Sequence, residues 1–199
     1  MAGLISYTVR RPTDRSISAI FQFFRKRRYL KRISALHGSL GIMHDYGERH
    51  SIAVQWEANR LVSIGPDIFD REQFMAPGAA GAWRSMVAAA ASDDIELQVV
   101  SAFRSFDYQE GIIRRKLEQG QDIGDILRVS APPGFSEHHT GRALDLTTPG
   151  YAVLEEEFEN SPAFGWLSES ASRFGFCLSF PRGNPHRVAY EPWHWAWRN

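Results

Sequence analysis

Apolar residues along the chain follow two rhythms, and together these predict a mixture of helices and strands. From Asp14 to about Leu36, the residues Ile17, Ile20, Phe21, Phe24, Ile33 and Leu36 recur at roughly helical spacing. Pro77 suits a first helical turn, and Trp83, Met86, Val87 and Ala90 then share one face of a helix that stops near Ser92-Asp93-Asp94. In IELQVVS, the alternation of Ile95, Leu97 and Val99 predicts a half-buried strand. Asp107 with Glu110 three positions on has the form of a capping box, and Gly120 closes the helix it opens. Ser161-Pro162 starts a further helix that Gly175 ends. FCLSF and WHWAW are rich in strand formers. Between Gly38 and Asp70 the pattern is mixed, and SIAVQWEANRLVSI holds short apolar stretches that predict paired strands only weakly. No internal repeat or low-complexity linker is present. Strands and helices without a βαβα rhythm predict an α+β fold.

Charge and cysteine content narrow the chemistry. Lys plus Arg and Asp plus Glu stand at 23 each, so the chain as a whole has no electrostatic bias toward nucleic acid. Cys177 is the single cysteine, which excludes an intrachain disulfide or a Cys-rich zinc site and leaves His and carboxylates to hold any metal. No apolar run is long enough for a bilayer, and MAGLISYTVRRPTDR has no secretory h-region, so the expected location is the cytoplasm. One local imbalance remains: Arg25, Lys26, Arg27, Arg28, Lys31 and Arg32 crowd the first helix. The functional reading is weak contact with a membrane surface or an acidic partner, and the plainer one is a solvated helix face.

Three boxes carry the chemistry. SAFRS spans Ser101 to Ser105, SEHHTGRALD places Ser136, His138 and Asp145 around the small residues Gly141 and Ala143, and EPWH spans Glu191 to His194. In order and internal spacing these resemble the VanY-type D-alanyl-D-alanine carboxypeptidases, within the lysostaphin-like, D-Ala-D-Ala-cleaving and Sonic-hedgehog-like zinc proteins. Ala102 and Phe103 depart from the commoner Ser-Gly-Tyr-Arg-Ser form. The resemblance covers about Leu61 to Trp197. It therefore divides the chain into an N-terminal extension, 1–60, and a peptidase domain, 61–199, with a small, mostly antiparallel sheet and flanking helices.

The resemblance implies Zn2+ held by His138, Asp145 and His194, with Glu191 as general base and Arg104 supporting the oxyanion or the substrate carboxylate. Ser136 and Gln109 are implied substrate contacts. The implied substrate is a peptidoglycan-derived peptide, most simply one ending in D-Ala-D-Ala, and the chain is expected to be a monomer. The alternatives are an L,D-carboxypeptidase, an L-alanyl-D-glutamate peptidase, or a zinc-dependent binding protein without turnover. The residues also make sense by themselves. Catalytic zinc takes three His or carboxylate ligands, and Asp145, between two leucines, needs a partner or a metal if it faces a core. Other readings stand beside these: Asp145 paired with Arg142 or Arg104, and His139 or His186 as a ligand. His37, His44 and His50 lie outside the matched region. Trp193, Trp195 and Trp197 read as packing rather than a sugar platform. Glu191 and His194 have opposite strand parity, so a kink at Pro192 is needed to bring both to one site.

Overall fold

The computed structural model describes residues 14–198, with side chains from residue 23 onward. Helix α1 (Asp14–Leu40) meets no glycine or proline before Gly38 and stops at Gly41, whose φ is +71°. Half-buried Tyr29 and buried Ile33, Leu36 and Leu40 form its inward stripe. Phe24 is exposed, so the apolar residues of this helix do not make one continuous face as their spacing suggested. Ile17, Ile20 and Phe21 lie outside the described side chains.

A short helix α2 (Tyr46–Arg49) leads to an antiparallel hairpin of β1 (Val62–Pro66) and β2 (Glu72–Met75). Then follow α3 (Pro77–Ser92), β3 (Gln98–Ser101), α4 (Phe106–Glu118), α5 (Ile123–Val129), β4 (Ala143–Thr147), α6 (Pro162–Ser170), β5 (Phe176–Leu178) and β6 (His194–Trp197). The last four strands of the fold form one antiparallel sheet in the order β3-β4-β6-β5. The fold is α+β with small antiparallel sheets.

Side-chain alternation assigns the two sheet faces. Val99, Leu144, Leu146 and Trp195 join Trp83, Met86 and Ala90 of α3 and Leu167 of α6 in the larger core. Asp145 and His194 face the other way and are direct cross-strand partners, as Leu144 and Trp195 are on the core side. A second core gathers Ile33, Leu36 and Leu40 of α1 with Phe106 and Ile113 of α4, Ile126 of α5, and Phe135.

Local departures from the sequence expectations have identifiable causes. IELQVVS contributes only Gln98–Ser101 to the sheet, because Ile95 still hydrogen-bonds back to Ala90 at the end of α3. Residues 52–60 are irregular, and β1 pairs with Glu72–Met75 rather than within its own stretch. The cap of α4 is Ser105, whose Oγ accepts from the Tyr108 N–H at 3.1 Å, not Asp107. Phe106 is fully buried and its N–H donates to Glu57 Oε1 at 2.6 Å, so a tertiary carboxylate helps start the helix two residues early. Asp107 instead pairs with Arg32. Helix α6 is capped by Ser161 as expected but tightens after Ser170 into a 3-10 turn, which Gly175 (φ +80°) closes.

Candidate active site

Three backbone devices bring the motif residues together. The β4–β6 register places Asp145 opposite His194. A 3-10 turn, Glu137–Thr140, ends in Gly141 at φ +65° and turns His138 back toward β4. The segment after β3 completes the frame: Ala102 O takes the His138 Nδ1 proton at 2.5 Å, and Arg104 O takes that of His139 Nδ1 at 2.7 Å. His138, Asp145 and His194 each offer a donor atom within 4.8 Å of the others, and all three are buried.

Hydrogen bonding decides which ring nitrogens face inward. With its Nδ1–H on a carbonyl, His138 presents an Nε2 lone pair, which is buried, lacks any hydrogen-bond partner and stands 3.3 Å from Asp145 Oδ1. Two lone pairs in such contact repel unless a cation lies between them. His194 is held from the other side: its Nε2–H donates to Glu137 Oε2 at 3.0 Å, leaving Nδ1 toward Asp145 Oδ1, also at 3.0 Å. The inward donors are therefore His138 Nε2, Asp145 Oδ1 and His194 Nδ1. Two imidazoles and one carboxylate, with space left on one side, fit a catalytic zinc site.

Glu137 is a residue that sequence reasoning missed. Its carboxylate receives Ser179 Oγ at 2.7 Å and Arg198 Nη2 at 2.5 Å as well as the His194 ring, and these positive and donor groups hold its pKa well below the usual range although burial opposes this. Its place beside His138 in the motif was the available signal.

The remaining charges are arranged around these donors. Burial would raise the Asp145 pKa, but His138, Arg104 and His194 outweigh it and keep the carboxylate ionised. Arg104 Nη2 donates to Asp145 Oδ2 at 2.6 Å, so the ion pair weighed from sequence is present together with the three-donor cluster. Burial pushes the His138 pKa down to about 4, with Arg104 acting in the same direction. For His194 burial also acts downward, yet with the metal absent its bonds to Asp145 and Glu137 raise it to about 10, so the proton then shared between Nδ1 and Asp145 is the one an ion at Nδ1 would displace. Glu191 sits 3.8 Å from His194 Nδ1, and burial pushes its pKa up to about 7, aided by Asp145 and Glu137 and opposed by His194 and Arg104. Glu191 precedes β6 in a turn closed by His194 N–H to Glu191 O, 3.0 Å, so strand parity does not separate the two side chains.

These groups line a groove of about 450 Å3 together with Ser136, Gln109, Phe180 and Trp193. Ser136 is buried with no side-chain hydrogen bond among the described residues. Both ends of the Gln109 amide are engaged: Oε1 accepts from Arg104 Nη1 at 3.3 Å and Nε2 donates to Ala131 O at 2.8 Å. Lys116, which the motifs did not single out, reaches the groove from α4 and donates to Ser130 Oγ at 2.9 Å. His139 is spent structurally, since its Nε2 accepts from Gly134 N–H at 3.0 Å. His186 hydrogen-bonds the His50 carbonyl and His37 is buried against Pro133 O. Trp195 and Trp197 pack in the larger core, whereas Trp193 also lines the groove.

Comparison with known proteins gives a consistent picture. The family model VanY, D-alanyl-D-alanine carboxypeptidase, matches residues 72–199. The chain is 26% identical over 182 residues to the putative carboxypeptidase YodJ of Bacillus subtilis (strain 168), covering 87% of this chain and 66% of that one. It is 28% identical over 133 residues to a D-alanyl-D-alanine carboxypeptidase of Enterococcus faecium, covering 65% of this chain and 39% of that one. The chain thus spans less than two thirds of these relatives' lengths. Among solved structures, the LdcB LD-carboxypeptidase aligns with a TM-score of 0.64 at 29% identity, covering 71% of this chain and 69% of that chain. VanYB in complex with D-alanine-D-alanine has a similar fold, with a TM-score of 0.59 at 23% identity over 74% of this chain and 81% of that one.

Proposed function

We propose that this chain, which belongs to the VanY family of D-alanyl-D-alanine carboxypeptidases, is a zinc peptidase that removes the terminal D-alanine from peptidoglycan peptides ending in D-Ala-D-Ala. The observation that carries the reading is the convergence of His138 Nε2, Asp145 Oδ1 and His194 Nδ1 beside the buried Glu191 carboxyl, 3.8 Å from His194 Nδ1. These three atoms would hold the ion, and Zn2+ bound there would supply Lewis acidity to the scissile carbonyl and to water.

The chain's own residues supply the rest. Glu191 is set by burial to accept a proton near pH 7, so it takes one from the attacking water and returns it to the leaving amine. Arg104, steadied by Gln109 and Asp145, presents a fixed positive charge to the developing oxyanion. Lys116 and Ser130 meet the substrate's terminal carboxylate, and Ser136, which also lines the groove, hydrogen-bonds the peptide. The apolar Phe180 and Trp193 exclude water around the bond.

One observation favours a second reading. The likeness to the LdcB LD-carboxypeptidase supports cleavage of an L,D bond in the same groove. Incubating the zinc-loaded protein with penta-, tetra- and tripeptide wall fragments and weighing the products separates the two. Loss of one alanine from the pentapeptide alone supports the first reading. Shortening of the tetrapeptide alone replaces it with the second, and no product from any fragment leaves a zinc-dependent binding protein.

A further inference from the structure

The outward side of α1 takes no part in the catalytic groove among the described residues, yet it carries a dense run of positive charge. Residues 25–32 hold six of the chain's 23 Lys and Arg residues, and no Asp or Glu occurs between Asp14 and Asp45. In a chain of zero net charge this concentrates positive potential on one helix. Two of the six cations are engaged: Arg32 with Asp107, and Lys26 with the Trp56 ring at 5.3 Å. Arg25, Arg27, Arg28 and Lys31 are exposed and have no ion pair among the described residues.

Helical geometry sets these charges on a definite face. Phe24, Arg27, Arg28 and Lys31 are spaced i, i+3, i+4 and i+7, and so share the side of α1 opposite Ile33, Leu36 and Leu40. Phe23 and Phe24 are 62% and 60% exposed, with their rings edge to face at 5.8 Å, and Leu30, seven positions after Phe23, lies open on the flank of Phe23. Between α1 and Trp56–Asn59 lies a cleft of about 450 Å3 walled by Arg25, Lys26, Arg28, Arg32 and Trp56. Its one carboxylate, Glu57, is engaged through Oε1 by the Phe106 N–H at 2.6 Å.

We propose that this face is a docking surface for an anionic phospholipid bilayer. The free cations lie among the headgroups, Phe23, Phe24 and Leu30 enter the acyl boundary, and the cleft receives a headgroup phosphate. An acidic protein would match the charges alone. The phenyl pair among them requires an apolar layer directly beside an anionic one, and a bilayer interface supplies both. The catalytic groove stays open, since no α1 residue among those described lines it.

The test uses the full zinc-loaded chain, sedimented with vesicles of phosphatidylglycerol and phosphatidylcholine or of phosphatidylcholine alone. Binding is expected on the anionic vesicles, falling with salt. Each basic residue near such a surface is worth roughly fivefold in partitioning, so the R27E/R28E/K31E variant should lose about a hundredfold or more. F23S/F24S should weaken binding several-fold and keep its salt dependence. Both variants should retain native circular dichroism and native kcat/KM on a soluble peptide. Equal binding to neutral vesicles, or native binding by the charge-reversed variant, overturns the proposal. Binding to polyglutamate without binding to anionic vesicles also overturns it and reassigns the face to an acidic protein.

Discussion

Replacing Gly141 by alanine should lower stability and metal affinity together. Gly141 stands between two proposed ligands, at the end of the turn that carries His138 and two residues before the strand that carries Asp145. Its φ of +65° costs an alanine about 1–2 kcal/mol. A Cβ there would also come within 2.9 Å of both Ala76 N and Leu61 Cδ2. Ala76 cannot simply withdraw, because its N–H donates to Gly141 O at 2.8 Å and it caps α3. Crowding of this kind adds about 1–3 kcal/mol, giving a total of roughly 2–5 kcal/mol. For a domain of this size that corresponds to a drop in Tm of roughly 5–15 °C. Gly81→Ala is the control: it lies inside α3 with open space around it and should stabilise by about 1 kcal/mol or less. Thermal unfolding with excess zinc and with chelator measures both, and competition against a chromogenic chelator measures affinity. A Gly141→Ala protein that melts and binds zinc like the native one would refute the reasoning.

Three further outcomes follow from the site. Glu191→Gln should keep one zinc per chain and lose about 10²–10⁴-fold in kcat, as expected for removal of a general base; native turnover, or loss of the metal, would reject that role. His138→Ala should leave the isolated protein with little zinc by metal analysis, because two protein donors hold the ion poorly, and full occupancy would reject the ligand assignment. Lys116→Met should raise KM about tenfold or more with little change in kcat, the usual worth of a hydrogen bond to a charged group. A C-terminally amidated peptide should erase the difference between Lys116→Met and native, and a KM unchanged on the free acid would show that the carboxylate is met elsewhere.

Much of the site was readable in the sequence because its constraints are local. Asp145 between Leu144 and Leu146 announces a carboxylate on the face of a buried strand, and all five residues of β4 are buried. Gly141 announces the left-handed turn. What stayed hidden depends on distant partners. Glu57 shifts the start of α4 by two residues from 49 positions away. Glu137, which reads as an ordinary surface acid next to a motif histidine, acquires its place only when Ser179, His194 and Arg198 arrive around it. Lys116 depends on the turn from α4 into α5 that brings Ser130 alongside. The apparent parity conflict between Glu191 and His194 came from extending the strand too far: β6 begins at His194, and a turn precedes it.

The strand order β3-β4-β6-β5 has a kinetic consequence. Strand β6 lies between two strands that precede it in the chain, and β5 has no other partner among the described residues. The Asp145–His194 pairing spans 49 positions of sequence, so closing it costs loop entropy that nearby contacts do not repay. The full donor set therefore exists only after β6 has slid into its slot. An ion that recognises this finished arrangement lengthens the lifetime of the folded chain and leaves the speed of reaching it almost unchanged. Stripping the metal should then show itself first as faster escape, with the amides of β6 exchanging with solvent ahead of those of β4.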